Sequence, residues 1–265
     1  MGKDYLYYKY SEFLKKQYLA KVYKLPVNLP VTCPNRVNGQ GCSFCAESGT
    51  GFEAMSAEIS VTEQLMKTQE FIRRRYKAQK FIVYFQNYTN TYLPLGSLRK
   101  YMEEAAKLPD IVEIAISTRP DCIREDYLDV MEEIADTCHI SIGIELGLQT
   151  ANYHTLKEIR RGHGLAVYLD ACLRIQKRDF LLCTHAILNL PGDTLEDVME
   201  TAKIISIMGN HLVKAHSLYI ARETEMARLF ETGRLEIGTK EDYFLRLPTF
   251  LEYLSPDIAV ERLFS

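Results

Sequence analysis

The sequence lacks the features of a membrane, secreted or strongly basic protein. Its 265 residues contain no apolar run long enough to span a bilayer and no signal peptide, so we expect a cytoplasmic protein without a membrane partner. Its seven cysteines are odd in number and follow no secretion signal, which argues against a disulfide framework. A net charge of −3 excludes general attraction to nucleic acid, so any RNA binding must come from a local patch.

The cysteine cluster near the N-terminus lacks a fourth ligand. Cys33, Cys42 and Cys45 form a C-x8-C-x2-C pattern, whereas the next cysteine is Cys122 and the first histidine is His139. A structural zinc site is closed by four protein ligands, so three thiolates make a poor zinc motif. Iron–sulfur clusters are built on thiolates, and three of them leave one iron free to bind another molecule. The spacing therefore predicts an iron–sulfur cluster with an open iron.

No internal repeat, low-complexity tract or linker divides the chain, and strand and helix patterns alternate along it. Strands of near-continuous apolar residues are predicted at 21–29, 81–85, 111–116, 140–146, 180–188 and 211–220. This alternation indicates a parallel sheet covered by helices, an α/β fold. Six units fit a partial (β/α)6 TIM-like barrel better than a complete eight-unit barrel. We expect one domain over 1–265, with an N-terminal helix over 1–20, the partial barrel over 21–223 and a C-terminal helical cap over 224–265.

Polar residues collect where the predicted strands end. In such a barrel the active site lies at the carboxyl ends of the strands, and the cysteine loop follows the first strand. One polar loop would be ordinary loop composition, but five on the same side as three cysteines favour a site. They are Gln86-Asn87-Tyr88-Thr89-Asn90-Thr91-Tyr92, Ser117-Thr118-Arg119-Pro120-Asp121-Cys122, Glu145 with Gln149, His185 with Asn189, and His216-Ser217-Leu218-Tyr219.

With these motifs the chain resembles the radical S-adenosylmethionine (radical SAM) superfamily. More narrowly, it resembles the YtqA/YhcC-like group, which is related to the catalytic core of Elongator. Two features depart from the patterns: the first cysteine gap is longer than the C-x3-C-x2-C of most of the superfamily, and Asn189 stands where the group usually has glycine. The motifs that carry the resemblance are Thr32-Cys33-Pro34-Asn35-Arg36, Gly41-Cys42-Ser43-Phe44-Cys45, Tyr84-Phe85-Gln86, Thr118-Arg119-Pro120-Asp121-Cys122, Glu145-Leu146-Gly147-Leu148-Gln149-Thr150, Arg161-Gly162-His163 and Leu190-Pro191-Gly192.

The resemblance implies one 4Fe–4S cluster held by Cys33, Cys42 and Cys45, with S-adenosylmethionine (SAM) on the fourth iron. It also implies an electron donor such as flavodoxin or ferredoxin, and an enzyme that cleaves SAM to a 5′-deoxyadenosyl radical. Carboxylate and amide oxygens suit ribose hydroxyls, and a guanidinium suits a carboxylate. The implied SAM contacts are Phe44, Leu190, Leu218 and Tyr219 at the adenine, Gln86 and Asn87 at the methionine amino group, Glu145 and Gln149 at the ribose, Arg161 at the carboxylate, and Ser117 at a strand end.

Further candidates for catalysis or substrate contact are Tyr88, Tyr92, Arg119, Asp121, Cys122 and His185. Cys122 would be a hydrogen-atom donor, although a core or loop thiol is the plainer interpretation for it, as for Cys138, Cys172 and Cys183. His185, within an apolar strand, fits a core histidine as well as a site residue. Tyr88 and Tyr92 either pack against the protein or stack on a base.

The group resemblance implies that the substrate is tRNA, modified at the C5 substituent of the wobble uridine. Such a base must leave the anticodon stack to enter the barrel. Two alternatives remain open: a radical SAM enzyme acting on a small molecule or protein, and a non-catalytic iron–sulfur protein. Basic segments that would bind phosphate, or would be ordinary solvated helix faces, are Arg73-Arg74-Arg75 with Lys77 and Lys80, Lys157 with Arg160 and Arg161, and Arg174 with Lys177 and Arg178.

Overall fold

The computed structural model of the protein describes residues 6–46 and 54–264. The described residues contain one sheet of eight strands in which all neighbours pair in parallel, in the order β1-β8-β7-β6-β5-β4-β3-β2. The strands are β1 (Tyr8–Lys9), β2 (Val22–Val27), β3 (Lys80–Phe85), β4 (Ile111–Thr118), β5 (Ser141–Gln149), β6 (Leu181–Ile187), β7 (Leu212–His216) and β8 (Ala259–Arg262).

Helices alternate with these strands. Several begin at a side-chain cap: Ser60 accepts a hydrogen bond from the backbone N–H of Glu63, and Thr194 forms a capping box with Asp197. The helices are α1 (Tyr10–Tyr18), α2 (Pro34–Val37), α3 (Val61–Tyr76), α4 (Leu95–Ala106), α5 (Glu125–Cys138), α6 (Tyr153–Glu158), α7 (Leu165–Ile175), α8 (Leu195–Ile207), α9 (Glu225–Glu231) and α10 (Lys240–Tyr253). No helix in the described ranges is long and apolar enough to cross a bilayer.

The prediction of a partial parallel α/β barrel is confirmed, and the six predicted strands are β2 to β7. The sixth is shorter than predicted, because β7 ends at His216. The N-terminal helix begins at Tyr10 rather than near residue 1, and β1 precedes it; the predicted part before residue 6 lies outside the described residues.

The prediction of helices alone after residue 224 is wrong, because β8 lies between β1 and β7 in the sheet. Only Ala259 and Val260 of its four residues are buried and apolar, and Glu261 and Arg262 follow. So short an apolar segment has no detectable strand period in the sequence. Its strand conformation depends on pairing with β7 and β1, which are distant in sequence.

Helix α1 closes the amino end of the barrel between the two edge strands, β1 and β2. Leu14 packs with Val22, Ile82 and Tyr84 on one side of the barrel. Phe13 packs on the other side, against Cys183, Leu212 and Ala259 in β6, β7 and β8. One amphipathic helix therefore contacts strands from both halves of the sheet, which leaves the carboxyl ends for the functional site.

A buried carboxyl group, Glu113, lies near α1 within the barrel. The Tyr18 hydroxyl donates a hydrogen bond of 2.5 Å to Glu113 Oε2, and a Cβ at residue 143 would lie 2.5 Å from Oε1, so glycine is needed there. Burial raises the pKa of Glu113 from 4.5 to about 7, although Lys24 and the Tyr18 hydrogen bond lower it. Glu113 is therefore protonated in the folded protein at mildly acidic pH and ionised in the unfolded chain.

Glu113 should make the protein less stable as the pH rises. Between pH 4.5 and about 7 the folded state binds the additional proton, so the free energy of unfolding decreases with pH by ~3 kcal/mol in total. We expect the Glu113→Gln variant to lose this slope in urea titrations across pH 4.5 to 7. Glu133→Gln, which removes an exposed carboxylate paired with Arg99, is the control. An unchanged slope in Glu113→Gln would show that the carboxyl is not protonated in the folded state.

Candidate active site

A cavity at the carboxyl ends of the strands brings most of the predicted site residues together. The cysteine loop, between β2 and α3, forms one side, and strands β3 to β8 form the rest. The predicted residues that line it are Cys33, Cys42, Phe44, Cys45, Gln86, Tyr88, Ser117, Arg119, Glu145, Gln149, Arg161 and His185.

Several predicted adenine contacts lie beside the cavity rather than in its lining. Leu190 and Leu218 share an apolar cluster with Phe44. Asn189 links the ends of β6 and β7, because its Oδ1 accepts a hydrogen bond of 2.6 Å from the backbone N–H of Leu218. Tyr219, by contrast, is 69% exposed. The apolar cluster thus adjoins the cavity at Phe44, and the tyrosine ring faces solvent.

Four other predicted residues do not line the cavity. Asn87 is buried, and its sequence neighbours Gln86 and Tyr88 both line the cavity. Tyr92, Asp121 and Cys122 line a separate surface pocket with Pro34. Burial raises the pKa of the Cys122 thiol to about 12, which keeps it protonated. The structure therefore separates Cys122 from the cavity that Arg119, three residues earlier, does line.

Hydrogen-bond donors lie beside two of the three cysteine sulfurs. Asn35 Nδ2 lies 3.4 Å from Cys42 Sγ, Arg36 Nη2 lies 3.3 Å from Cys45 Sγ, and Arg161 Nη1 lies 3.5 Å from Cys42 Sγ. Asn35 and Arg36 belong to the four-residue α2, which begins directly after Cys33 with proline at its first position. Sequence analysis gave neither of them a role, although both lie in the Cys33-Pro34-Asn35-Arg36 motif.

The donor set fits a 4Fe–4S cluster and does not fit a single ion. Cys33, Cys42 and Cys45 are free thiols, and their sulfurs do not all lie within 4.8 Å of one another. Tetrahedral thiolates on one zinc ion, at about 2.3 Å from the metal, would lie closer together than that. The N–H groups on the sulfurs compensate thiolate charge, as hydrogen bonds do at iron–sulfur clusters. Arg119 adds a buried guanidinium nearby, whose Nη1 has no hydrogen-bond partner among the described residues.

Arg161 is positioned by β5. Its Nη2 donates a hydrogen bond of 2.7 Å to the backbone carbonyl of Gly147. The pairing of β5 with β6 shifts register between Gly147 and Gln149, and Gln149 adopts a left-handed backbone with φ of 82°. Such bulges redirect side chains beside functional sites. The bulge therefore brings Gln149 and Arg161 to the same side of the cavity.

Replacing Gly147 with alanine tests this arrangement. The new Cβ would lie 2.5 Å from Arg161 Nη2 and 2.8 Å from Gln149 Nε2, so both side chains must move. We expect the dissociation constant for SAM to rise about tenfold or more while the iron content is unchanged. The control is Gly96→Ala, because nothing lies within 4 Å of a Cβ there. Equal SAM affinity in both variants would contradict a role for Arg161 and Gln149 in SAM binding.

Glu145 is the centre of a buried ionic network. Its Oε1 accepts a hydrogen bond of 2.7 Å from Lys24, and its Oε2 accepts one of 2.7 Å from Lys214. Glu261 of β8 contacts the same two ammonium groups, at 2.8 Å from Lys24 and 3.1 Å from Lys214. Burial alone would raise the pKa of Glu145, but Lys214 and Lys24 hold it well below its usual range. Two carboxylates and two ammonium groups therefore neutralise one another inside the barrel.

Two histidines extend the network towards the cavity. His185 Nε2 lies 2.8 Å from Glu145 Oε2, and His185 Nδ1 lies 3.2 Å from His216 Nε2. The two rings stack, with centroids 5.2 Å apart. Burial lowers the pKa of both histidines, and for His216 the neighbouring His185, Arg262 and Lys214 lower it further. Both are neutral at pH 7. Because a carboxylate only accepts hydrogen bonds, His185 carries its proton on Nε2.

The network changes the interpretation of Glu145. The potential metal-ligand atoms of Glu145, Cys183 and His185 all lie within 4.8 Å of one another. The Glu145 carboxylate is already paired with the ammonium groups of Lys24 and Lys214, and these positive charges disfavour a metal cation there. Sequence analysis predicted ribose binding for Glu145 and missed Lys24, Lys214 and Glu261. The sequence feature that could have indicated the two lysines is that each is the single charged residue of its strand, Lys24 in β2 and Lys214 in β7. The ribose contact stays a prediction, because Glu145 lines the cavity while its charge is already paired.

Comparison with known families shows which superfamily the chain belongs to. The family described as the Radical SAM superfamily matches residues 27–205, which include the cysteine loop and β3 to β6. The chain belongs to the radical SAM superfamily. The family described as the Radical_SAM C-terminal domain matches residues 211–265 of this radical SAM protein. This match includes β7, β8 and the last two helices. This family membership implies SAM and a 4Fe–4S cluster.

The relatives confirm the narrower resemblance. The uncharacterized protein MJ0486 of Methanocaldococcus jannaschii is 33% identical over 99% of this chain and 81% of its own length. The uncharacterized protein YtqA of Bacillus subtilis is 32% identical over 97% of this chain and 80% of its own length. A threonylcarbamoyladenosine tRNA methylthiotransferase, MtaB of Chlamydia pneumoniae, is 30% identical over 51% of this chain and 32% of its own length.

A solved structure confirms the fold. Archaeal Elp3 from Methanocaldococcus infernus superposes with a TM-score of 0.67 at 15% identity, covering 92% of this chain and 56% of that chain. At this identity the likeness establishes the partial barrel alone. Together with the family match, it makes the protein a radical SAM enzyme.

Proposed function

We propose that this radical SAM enzyme modifies tRNA, at the C5 substituent of the wobble uridine. The observation that carries the proposal is the cavity itself, which places the three cysteines beside a lining with more cations than acids. Its charged residues are Arg36, Arg119, Arg161, Lys214 and Arg262 against a single carboxylate, Glu145. Lys214 is paired with Glu145 and Glu261, and Arg119 with Asp121, so the positive charge that remains in the lining comes from Arg36, Arg161 and Arg262. A lining with this excess of arginine suits a polyanionic substrate. The name of the MtaB relative, a tRNA methylthiotransferase, agrees with an RNA substrate.

The proposal assigns the cofactors to the cysteine side of the cavity. Cys33, Cys42 and Cys45 hold one 4Fe–4S cluster, and the hydrogen bonds from Asn35 and Arg36 orient their sulfurs. With SAM bound, the cluster supplies one-electron cleavage of the sulfonium and a 5′-deoxyadenosyl radical that abstracts a hydrogen atom from substrate. In the cell the electron comes from a donor such as flavodoxin or ferredoxin.

The remaining residues orient SAM and exclude water. Arg161 binds the methionine carboxylate, because its guanidinium is held next to Cys42 by the carbonyl of Gly147. Gln149, redirected by the bulge, accepts a hydrogen bond from a ribose hydroxyl. Phe44 packs on the adenine at the edge of its apolar cluster with Leu190 and Leu218. Gln86 and Ser117, at the ends of β3 and β4, also line the cavity, and the proposal gives Gln86 the methionine amino group and Ser117 a further SAM contact.

Several of the surface arginines predicted for RNA binding are already paired with carboxylates. Arg73 contacts Asp110 and Arg74 contacts Glu70. Arg178 contacts Glu125, Asp129 and Glu132 of α5. Arg161 is buried in the cavity rather than on a surface. The proposal therefore gives the cavity mouth, and not the α3 or α7 face, the main part in substrate recognition.

The test is SAM cleavage with and without substrate. The protein is reconstituted without oxygen, reduced with dithionite and given SAM with or without bulk tRNA from cells lacking this protein. We expect tRNA to increase the 5′-deoxyadenosine measured by liquid chromatography, and one nucleoside of that tRNA to change mass. Cleavage indifferent to tRNA would keep the enzyme class and exclude the tRNA substrate. No cleavage with an intact cluster would favour a non-catalytic iron–sulfur protein.

A further inference from the structure

The last strand contributes a cation to the cavity. Arg262 ends β8 and lines the cavity with His216 and Lys214. The pairing of β7 with β8 shifts register here, because Val213 pairs with Val260 and Lys214 with Arg262, which leaves Glu261 as the additional residue. In a bulge of this kind, two consecutive side chains need not alternate between the faces of the sheet. Glu261 accordingly contacts the buried lysines, and Arg262 still faces the cavity.

Arg262 differs from the other cations of the lining in having no partner among the residues that the structure describes. Arg119 pairs with Asp121, and Lys214 pairs with Glu145 and Glu261. Arg36 and Arg161 donate to cysteine sulfurs. Within residues 6–46 and 54–264, no ion pair or hydrogen bond of the Arg262 side chain is found. Its neighbour Glu261 does not compensate it, because that carboxylate is bound to Lys24 and Lys214.

The surroundings of Arg262 leave its charge uncompensated. The four buried charges beneath it, Lys24, Lys214, Glu145 and Glu261, sum to zero. The adjacent histidines, His185 and His216, are neutral at pH 7. Arg262 is exposed, so its positive charge lies in solvent at the edge of the cavity, where it can attract an anion. A guanidinium also has a donor geometry that matches phosphate.

We propose that Arg262 binds a phosphate group of the substrate nucleotide, beside the His185–His216 stack. This proposal rests on the proposed function, because it takes the phosphate from RNA. Arg262 thereby directs one nucleotide of the RNA into the cavity, with its phosphate held at the mouth on the β8 side.

The experiment measures RNA binding by fluorescence anisotropy across a range of salt concentrations, using the full chain with its cluster. The probe is an unmodified hairpin with the sequence of a tRNA anticodon arm. For Arg262→Gln we expect about tenfold weaker binding at low salt. The slope of log affinity against log salt should also decrease by about 0.7, the value for one phosphate contact in single-stranded RNA. Arg262→Lys should keep the slope and weaken binding less.

The control is Arg234→Gln, which removes an exposed arginine that is not part of the cavity lining. Equal changes in the two Gln variants would overturn the inference, because they would report only net charge. If the wild-type protein does not bind the hairpin, the RNA substrate is wrong, and titration with uridine monophosphate then tests Arg262 separately. Loss of that binding in Arg262→Gln would support a phosphate site for a small substrate, and unchanged binding would overturn it.

Discussion

Replacing Cys42 with serine is expected to abolish the iron–sulfur absorption of the reconstituted protein and all reductive cleavage of SAM. Cys42 is the buried member of the three cysteines, and Asn35 and Arg161 both donate towards its sulfur. The thiolate is the form that binds iron, and a serine hydroxyl stays protonated at neutral pH. We expect activity to fall to the level without enzyme, a loss on the order of 10⁶-fold or more. Iron and sulfide analysis, absorption spectra and 5′-deoxyadenosine measure it.

Two other cysteines provide matched controls. Cys138, at the end of α5, lies outside the cavity lining, so Cys138→Ser should keep both the cluster and the activity. Cys122→Ser tests whether Cys122 is a hydrogen-atom donor or a structural thiol. Because Cys122 lines a different pocket, we expect SAM cleavage to be retained there as well. A cluster that assembles fully in Cys42→Ser would contradict the assignment of the three cysteines.

Replacing Glu145 with glutamine is expected to lower the free energy of unfolding by about 3 to 5 kcal/mol. The substitution keeps the shape of the side chain but leaves Lys24 and Lys214 with one carboxylate, Glu261, between them. Removing one partner of a buried ion pair leaves an uncompensated buried charge, which is far more costly than the net contribution of the pair. Urea unfolding followed by circular dichroism measures the loss.

The matched control for Glu145→Gln is an exposed ion pair. Glu133 receives two hydrogen bonds from Arg99 at the protein surface, so Glu133→Gln should leave the free energy of unfolding nearly unchanged. The SAM dissociation constant of Glu145→Gln, measured well below its unfolding temperature, then tests the ribose contact separately. Equal stability of the two variants would show that the network is not the buried, charged arrangement described above.

The cysteine site and the six central strands were predictable from the sequence because their signals are local. The spacing of Cys33, Cys42 and Cys45 indicates an iron–sulfur cluster without any knowledge of distant residues. Each of β2 to β7 is a run of apolar residues followed by a polar loop, and parallel strands place those loops at one end. That geometry is why Gln86, Ser117 and Gln149 could be assigned to one cavity, whereas Arg161 was assigned to it only by the family resemblance.

The ionic network and the β8 side of the cavity were decided only by the tertiary structure. Lys24, Glu145, Lys214 and Glu261 come from four strands, and nothing in their local sequence shows that their charged groups meet within 3.1 Å. Likewise, β8 is a strand only because β7 and β1 pair with it, and Arg262 faces the cavity only because of the bulge. Local patterns determine segments and ligand spacing, whereas charge pairing between distant segments depends on barrel closure.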